Sequence, residues 1–198
     1  MITTIIFDLS EVYLQGLKGT EDRINAAYGI HIANPALMNM KEAGKLFHGE
    51  ISEETFWRAV VKKYDLPATV SELMQLVREN FKEVEGTRDI IEQLKVNGYK
   101  IGLLSVHVRE WIAYCEERFD YHKLFHSTMY SFEVAVSKPD KRAYELILEE
   151  LQVKPDECLF IDDSEINLVA AGKIGMQAIQ FTKAKELQND LRNLEIRI

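Results

Sequence analysis

The chain has 198 residues, of which 46% are hydrophobic, and it carries a formal net charge of −8. This size and composition are typical of a globular protein with one substantial core, and they exclude a disordered chain. The acidic balance argues against broad contact with nucleic-acid phosphates or anionic lipid, because both are bound through clusters of Lys and Arg. We therefore expect neither a nucleic acid nor a membrane as a partner.

The N-terminus lacks a basic stretch followed by a long apolar segment, and no apolar run approaches the roughly 20 residues of a membrane-spanning helix. We therefore expect a cytoplasmic protein. The two cysteines, Cys115 and Cys158, do not have the spacing of a metal site and are expected to be reduced thiols inside the fold. The sequence does not indicate an oligomeric state.

The N-terminal stretch from Ile2 to Phe7 is apolar, rich in β-branched residues, and ends at Asp8. Such a run, with little alternation, predicts a strand covered on both faces, as in a parallel sheet between two layers of helices. In these sheets, ligands bind at the carboxyl ends of the strands. Asp8 by itself is either a turn residue or the first residue of an active site.

The segment from about Leu17 to Phe81 predicts helices and no strand. Four are expected, at residues 20–28 with Thr20 as the cap, after Pro35 to residue 47, after the N-cap Ser52 to residue 64, and from about residue 71. Because four short helices cannot bury their apolar faces alone, we expect a small bundle beside the sheet. We predict a helical cap domain at residues 16–83 and a core domain at residues 1–15 and 84–198.

From Gly86 onwards the pattern alternates between helix and strand, with Thr87 as the cap of the first helix. Further strands are predicted at residues 99–104, 124–130, 158–161 and 177–181. This alternation predicts an α/β fold, a doubly wound, Rossmann-like parallel sheet of about five strands with right-handed connections. The helical insertion leaves the end of the first strand, so we expect it to overhang the carboxyl ends of the strands.

Polar side chains follow three of the predicted strands. Asp8, Ser105 and the pair of Asp162 and Asp163 each come after the apolar body of a different strand, and Lys138 is expected near the same edge. Any one of them alone is most simply a cap or turn residue. Together, three crowded carboxylates repel one another and require positive charge nearby. Lys138 supplies one charge, and oxygen ligands without His or Cys favour Mg²⁺ over Zn²⁺.

A site of carboxylates and Mg²⁺ usually implies a phosphate. Lys138 and the metal would neutralise a phosphoryl group, while the Ser105 hydroxyl and backbone N–H groups would donate to its oxygens. Asp8, on the first strand and beneath the insertion, is the candidate nucleophile. It would form an aspartyl-phosphate that water hydrolyses in a second step.

The sequence resembles the haloacid dehalogenase-like (HAD) hydrolases over nearly the whole chain, through four motifs in the family's order. The motifs are Phe7-Asp8-Leu9-Ser10-Glu11-Val12, Leu103-Leu104-Ser105, Ser137-Lys138-Pro139-Asp140 and Phe160-Ile161-Asp162-Asp163-Ser164. The insertion, with Gly49-Glu50-Ile51-Ser52 before a Phe-Trp helix, resembles the small helical cap of one subgroup. That subgroup includes sugar-phosphate phosphatases.

The resemblance implies a Mg²⁺-dependent phosphatase with Asp8 as nucleophile and with Ser105 and Lys138 on the phosphate. It also implies a metal held by Asp8, the backbone carbonyl of Ser10, and the pair formed by Asp162 and Asp163. One departure from the family's pattern is Val106, which replaces an Asn often found after the Ser of the second motif. This change removes a side-chain amide but keeps the backbone N–H, so it bears on substrate choice more than on chemistry.

Ser10 is the second departure, because HAD phosphatases commonly carry there an Asp that acts as general acid and base. Such catalysis contributes about 10² to 10⁴ in rate, so its loss would weaken hydrolysis without abolishing it. Glu11 would substitute only if the loop turned it inward; otherwise it is solvated.

Three functions therefore remain open. The first is a phosphatase of small phosphorylated metabolites such as sugar phosphates, because a cap leaves little room for a protein substrate. The second is a haloacid dehalogenase, in which the nucleophile attacks carbon. The third, supported by Ser10, is a weakly active or non-catalytic relative that binds a phosphorylated ligand or a protein.

The remaining histidines do not show the spacing of a metal site. We expect His31, His48, His122 and His126 to have surface or packing roles. His107 and Arg109 follow Ser105 and lie within reach of a substrate, but as polar residues that open a helix they are expected to be exposed.

Overall fold

A parallel five-stranded sheet lies at the centre of the fold in the computed structural model, which describes all residues, 1–198. The strands in chain order are β1 (Thr4–Phe7), β2 (Leu14–Gln15), β3 (Lys82–Glu83), β4 (Lys100–Ser105), β5 (Ser127–Tyr130), β6 (Cys158–Asp162) and β7 (Gln177–Gln180). The order across the sheet is β5-β4-β1-β6-β7, and all neighbours are parallel. The predicted five-stranded, doubly wound sheet is confirmed.

Strand β1 lies in the middle of the sheet, and all of its residues are buried. Ile5, Ile6 and Phe7 are completely buried. Ile5 and Phe7 pack into one apolar cluster, and Ile6 packs into a second cluster on the other face, as expected for a strand between two helical layers. Phe7 is opposite Leu103 of β4 and Ile161 of β6, so the ends of these three strands lie side by side.

Helices cover both faces of the sheet and form the insertion after β1. They are α1 (Thr20–Tyr28), α2 (Lys41–Phe47), α3 (Glu53–Tyr64), α4 (Val70–Arg78), α5 (Thr87–Val96), α6 (Arg109–Phe119), α7 (Ser131–Val134), α8 (Lys141–Leu151), α9 (Glu165–Lys173) and α10 (Ala184–Asn193). The second helix does not begin after Pro35 as predicted, because Met40 adopts an extended conformation just before α2. None of these helices combines the length and the apolar character needed to cross a bilayer.

A short antiparallel ribbon joins the two ends of the helical insertion. Leu14 of β2 pairs with Glu83 of β3, and Gln15 pairs with Lys82. The sequence did not predict this ribbon, because two-residue strands have no periodicity of their own. The division into a core and a cap domain stays a prediction.

Two of the predicted helix caps are wrong. Thr20 and Thr87 are the first residues of their helices, and their hydroxyls donate to the carbonyls of Leu17 at 2.8 Å and of Val12 at 2.9 Å. The N-cap positions of these two helices are occupied by Gly19 and Gly86 instead. Ser52 is a cap as predicted, since its hydroxyl accepts a backbone N–H of the first turn of α3 at 3.2 Å.

A buried carboxylate of the insertion forms an ion pair within the insertion and a hydrogen bond to the rest of the fold. Glu53 of α3 is completely buried and accepts from the guanidinium of Arg78 in α4 at 2.6 Å. The same carboxylate accepts from the indole N–H of Trp57 at 3.2 Å and from that of Trp111 in α6 at 2.7 Å. Three donors therefore compensate one buried charge, and one of them lies outside the insertion.

Arg78→Met should destabilise the protein by about 3 kcal/mol, because Glu53 would stay charged inside the fold without a cation. The matched control is Arg58→Met, since Arg58 pairs with Glu54 on an exposed face of α3 and such pairs contribute under about 1 kcal/mol. Urea unfolding followed by tryptophan fluorescence measures both, since the chain has 2 Trp and both indoles contact Glu53. Equal losses in the two variants would contradict the prediction.

Candidate active site

Lys138 lies between two carboxylates at the carboxyl ends of adjacent strands. Its Nζ is 2.8 Å from Oδ1 of Asp8, which follows β1, and 2.6 Å from Oδ2 of Asp162, the last residue of β6. All three side chains are buried. The structure therefore brings together three of the residues that the sequence pattern singled out.

The backbone fixes both carboxylates. The N–H of Asp8 donates to the carbonyl of Ile161 at 2.8 Å, and this bond extends the ladder between β1 and β6. Asp162 accepts from the backbone N–H of Ser164 at 2.8 Å and from the side-chain amide of Asn167 at 3.0 Å. Asn167 was not predicted as a site residue, although an amide in the first turn after the fourth motif is a signal that points to it.

Burial and the oppositely charged neighbours shift the pKa values of Asp8 and Lys138 in opposite directions. Burial raises the pKa of Asp8 to about 7, and the adjacent ammonium of Lys138 opposes that rise. Burial lowers the pKa of Lys138, but the carboxylates of Asp8 and Asp162 outweigh it, so that this pKa lies above its ordinary value. Lys138 is therefore a permanent positive charge in the cluster.

Asp163 completes a group of three carboxylates. Asp8, Asp162 and Asp163 each offer one oxygen, and these oxygens lie within 4.8 Å of one another. Asp163 is partly exposed and forms an ion pair with Lys18, whose side chain is 70% exposed. Lys18 was missed by the sequence analysis, because a single Lys in a loop before α1 resembles any solvated surface residue.

Two serine hydroxyls at this edge of the sheet are buried and have no hydrogen-bond partner: Oγ of Ser10 and Oγ of Ser105. Ser105 is the last residue of β4, the neighbour of β1, and Val106 follows it in a partly buried position. An unpaired buried hydroxyl is unfavourable unless a ligand satisfies it. Neither hydroxyl is therefore committed to a hydrogen bond within the protein.

Glu11 holds the turn after Ser10 and is not available as a substitute acid. Its backbone φ is 61°, and its Oε1 accepts from the backbone N–H of Gly16 at 3.4 Å and of Lys18 at 3.3 Å. The carboxylate thus points to the loop that leads into the insertion.

His107 is completely buried, which corrects the prediction of an exposed side chain. Its ring packs against those of Phe81 and Trp111, with centroids 5.9 and 5.8 Å away. Nδ1 accepts from the backbone N–H of Val108 at 3.0 Å, which places the proton of the neutral ring on Nε2. Burial lowers the pKa of His107 to about 4. Arg109 is exposed as predicted.

The insertion contacts the loop that carries Lys138. Nε2 of His48, at the end of α2, lies 2.9 Å from Oγ of Ser137, the residue before Lys138. Gly49 has a φ of 73°, and a Cβ there would come within 2.7 Å of the carbonyl oxygen of Phe132. Only glycine allows this close approach, so α2 ends directly against the core.

His107→Gln should remove a pH-dependent loss of stability. The pKa of His107 is about 4 in the folded protein and 6.5 in its ordinary state, so its contribution is fully present above pH 6.5 and is lost as the pH falls through 4. Over that range the wild type should lose on the order of 3 kcal/mol relative to His107→Gln. His31→Gln, at an exposed histidine, should follow the wild type. Urea unfolding between pH 7 and pH 4 checks this, and parallel curves for all three proteins would refute it.

The chain is a doubly wound α/β protein with a helical insertion after its first strand and an acidic cluster at the carboxyl ends of its strands. Residues 5–181 match the family model described as haloacid dehalogenase-like hydrolase. The chain belongs to that family, as its four motifs indicated.

Solved structures of HAD proteins share this fold. A HAD family enzyme of Bacteroides thetaiotaomicron, in complex with magnesium and inorganic phosphate, superposes with a TM-score of 0.78 at 19% identity, over 92% of this chain and 96% of that one. A HAD-like family hydrolase of Porphyromonas gingivalis gives a TM-score of 0.75 at 21% identity, with both chains covered completely. These similarities establish the fold of the chain.

Sequence relatives include proteins of different activities. Drimenol cyclase of Aspergillus calidoustus is 24% identical over 98% of this chain, and flavin mononucleotide hydrolase 1 of Arabidopsis thaliana is 26% identical over 64%. The matches span only 37% and 51% of those two proteins. Glyceraldehyde 3-phosphate phosphatase of Methanopyrus kandleri is 24% identical over 98% of this chain and 89% of that protein.

Proposed function

We propose that the protein is a phosphatase of small phosphorylated metabolites that acts through an aspartyl-phosphate on Asp8. The observation that carries this proposal is the buried ammonium of Lys138, 2.8 Å from Asp8 and 2.6 Å from Asp162. Three buried charges at the ends of two strands are costly to desolvate and are kept where chemistry needs them. The likeness to a glyceraldehyde 3-phosphate phosphatase over nearly the full length of both proteins supports a phosphate ester as substrate.

The residues present fit Mg²⁺ as the cofactor. Asp8, Asp162 and Asp163 present three carboxylate oxygens within 4.8 Å of one another, a donor set without His or Cys that suits a hard cation. The backbone carbonyl of Ser10 would complete the set. When bound, Mg²⁺ would neutralise charge on the phosphoryl oxygens. Binding of magnesium and inorganic phosphate by the similarly folded enzyme of Bacteroides thetaiotaomicron supports this assignment.

The polar groups at the candidate site have distinct proposed roles. One carboxylate oxygen of Asp8 attacks phosphorus in line with the leaving oxygen. Lys138 donates to a phosphoryl oxygen and offsets the charge of the two carboxylates. The hydroxyl of Ser105, which has no partner in the protein, donates to a second oxygen, and the backbone N–H of Val106 donates beside it.

The insertion is proposed to act as a cap, with residues 16–83 as the cap domain. It is joined to the core through the ribbon of β2 and β3 and contacts the loop before Lys138 through His48. A site covered in this way suits a small phosphorylated molecule better than a folded protein. A cytoplasmic location is part of the same proposal, since such metabolites are abundant there.

Asp8→Asn should abolish phosphate release, because an amide cannot form the acyl-phosphate bond. A screen of sugar, nucleotide and carboxylic acid phosphates, each with Mg²⁺ and with EDTA, measures the activity and its need for metal. Asp156→Asn, at an exposed site before β6, is the matched control and should keep full activity. Halide release from haloacids without metal would favour a dehalogenase instead. Phosphate binding without turnover of any substrate would favour a non-catalytic relative.

Ser105→Ala should lower kcat/KM by about 10-fold to 100-fold, because a hydrogen bond to a charged phosphoryl group contributes about 1.5–3 kcal/mol. The same change should not lower the melting temperature, since the hydroxyl has no partner inside the protein. Ser127→Ala, at the start of β5, is the control for loss of a hydroxyl within the sheet. Loss of stability together with activity in Ser105→Ala would indicate a structural role only.

A further inference from the structure

We propose that Lys18 is a resident counter-ion of Asp163, and that binding of Mg²⁺ displaces its ammonium and releases the loop that leads into the insertion. This inference rests on the proposed function, in which Asp8, Asp162 and Asp163 hold the metal, and it adds a residue that regulates that site. It follows from the contacts of Lys18 and from the charges around it.

Lys18 brings a second ammonium to the carboxylate cluster. Its Nζ donates to Oδ2 of Asp163, which lies 145 positions further along the chain. The ammonium of Lys138 contacts the other two carboxylates, at 2.8 Å from Asp8 and 2.6 Å from Asp162. Each carboxylate of the cluster is therefore already paired with a cation that the protein itself supplies.

The two lysines differ in burial, and this difference decides which of them a metal can displace. The side chain of Lys138 is 2% exposed and bridges two carboxylates, so its departure would leave buried charges without a partner. The side chain of Lys18 is 70% exposed, and that of Asp163 is 21% exposed. Because water solvates an ammonium as exposed as that of Lys18, its ion pair is weak and opens easily.

The charges of the cluster favour the exchange of Lys18 for a divalent cation. With all three carboxylates ionised, the two lysines leave the cluster with one net negative charge. Replacing the Lys18 ammonium by Mg²⁺ makes the cluster neutral, whereas adding Mg²⁺ beside it makes the cluster positive. An ammonium and a divalent cation repel each other twice as strongly as an ammonium and a carboxylate attract at the same separation, because the Coulomb energy follows the product of the charges.

The loop around Lys18, residues 16–19, has one anchored end and one open end. The carbonyl of Gly16 accepts from the side-chain amide of Asn80 at 2.7 Å, and a Cβ on Gly16 would come within 2.5 Å of the Asn80 carbonyl oxygen. Gly19 has a φ of 80°, and a Cβ there would meet no atom within 4 Å. The backbone N–H of Lys18 donates to Glu11 at 3.3 Å, which is a long hydrogen bond. Loss of the contact with Asp163 therefore frees the part of the loop that carries Lys18.

The exchange links occupancy of the metal site to the entrance of the insertion. Without metal, Lys18 neutralises Asp163 and ties the loop to the core beyond β6. With Mg²⁺ bound, the loop loses this tie. Lys18 is thus a competitor of the metal, and the wild type should bind Mg²⁺ more weakly than a variant without this ammonium.

The first measurement is the dissociation constant of Mg²⁺, obtained by titration calorimetry without substrate. Lys18→Met should lower this constant by about 2-fold to 6-fold, because the metal no longer competes with an exposed ion pair of ordinary strength. Lys18→Arg restores the cation and should restore the wild-type constant. The matched control is Lys123→Met, which removes an exposed ion pair with Asp120 before the start of β5, at the opposite edge of the sheet.

The second measurement follows the Lys18 side chain itself, through reaction of lysine amines with an acylating ester and mass spectrometry. In the wild type, the rate of labelling at Lys18 should rise by about 2-fold to 6-fold between EDTA and saturating Mg²⁺, because the paired fraction is released. Lys123 is the internal control and should react at the same rate in both solutions. In Asp163→Asn, Lys18 should react at the faster rate with or without Mg²⁺, because its partner is missing.

The outcomes separate this inference from the function on which it rests. Absence of Mg²⁺ binding by both the wild type and Lys18→Met would overturn the proposed metal site itself. Equal dissociation constants for these two proteins, or labelling of Lys18 that Mg²⁺ does not accelerate, would leave the metal site intact and overturn the displacement of Lys18. Equally tighter binding by Lys18→Met and Lys123→Met would also overturn it, because the cause would then be the net charge of the protein.

Discussion

The contact of Lys138 with Asp8 and Asp162 is the interaction on which the candidate site depends. It places an ammonium between two carboxylates where all three groups are buried. Such a cluster is tolerated only if its geometry is fixed, because each charge loses its hydration. The ladder between β1 and β6 fixes the carboxylates, and the loop before α8 delivers the lysine. Strands β1 and β6 therefore hold the carboxylates of Asp8 and Asp162 in place beside Lys138.

The helical insertion is held against the rest of the fold at several points. The β2–β3 ribbon ties its two ends together, and the buried carboxylate of Glu53 contacts both α4 and the indole of Trp111 outside the insertion. The end of α2 lies against the core at Gly49, where a side chain would collide with the carbonyl of Phe132. A buried polar network with a close backbone contact favours one docked position of the insertion.

Ser10 lies two residues after Asp8, the candidate nucleophile. Its backbone carbonyl is a proposed metal ligand, whereas its hydroxyl is buried without a partner. The relatives of this chain carry the names of a cyclase, a nucleotide hydrolase and a sugar-phosphate phosphatase, so the fold alone does not determine the reaction.

The sequence by itself determined the sheet and the positions of Asp8, Ser105 and the acidic pair, because apolar runs that end in polar residues report strands and their exits directly. Only the tertiary structure decided the roles of Lys18, Asn167 and His107. Lys18 meets Asp163 across 145 positions, and His107 is buried by residues from the insertion and from α6. Such contacts join segments that are distant in the sequence. Neither the periodicity nor the composition of the sequence predicts which residues will be in contact in the folded chain. The burial that makes a charge or an imidazole chemically distinct is therefore a property of the folded chain.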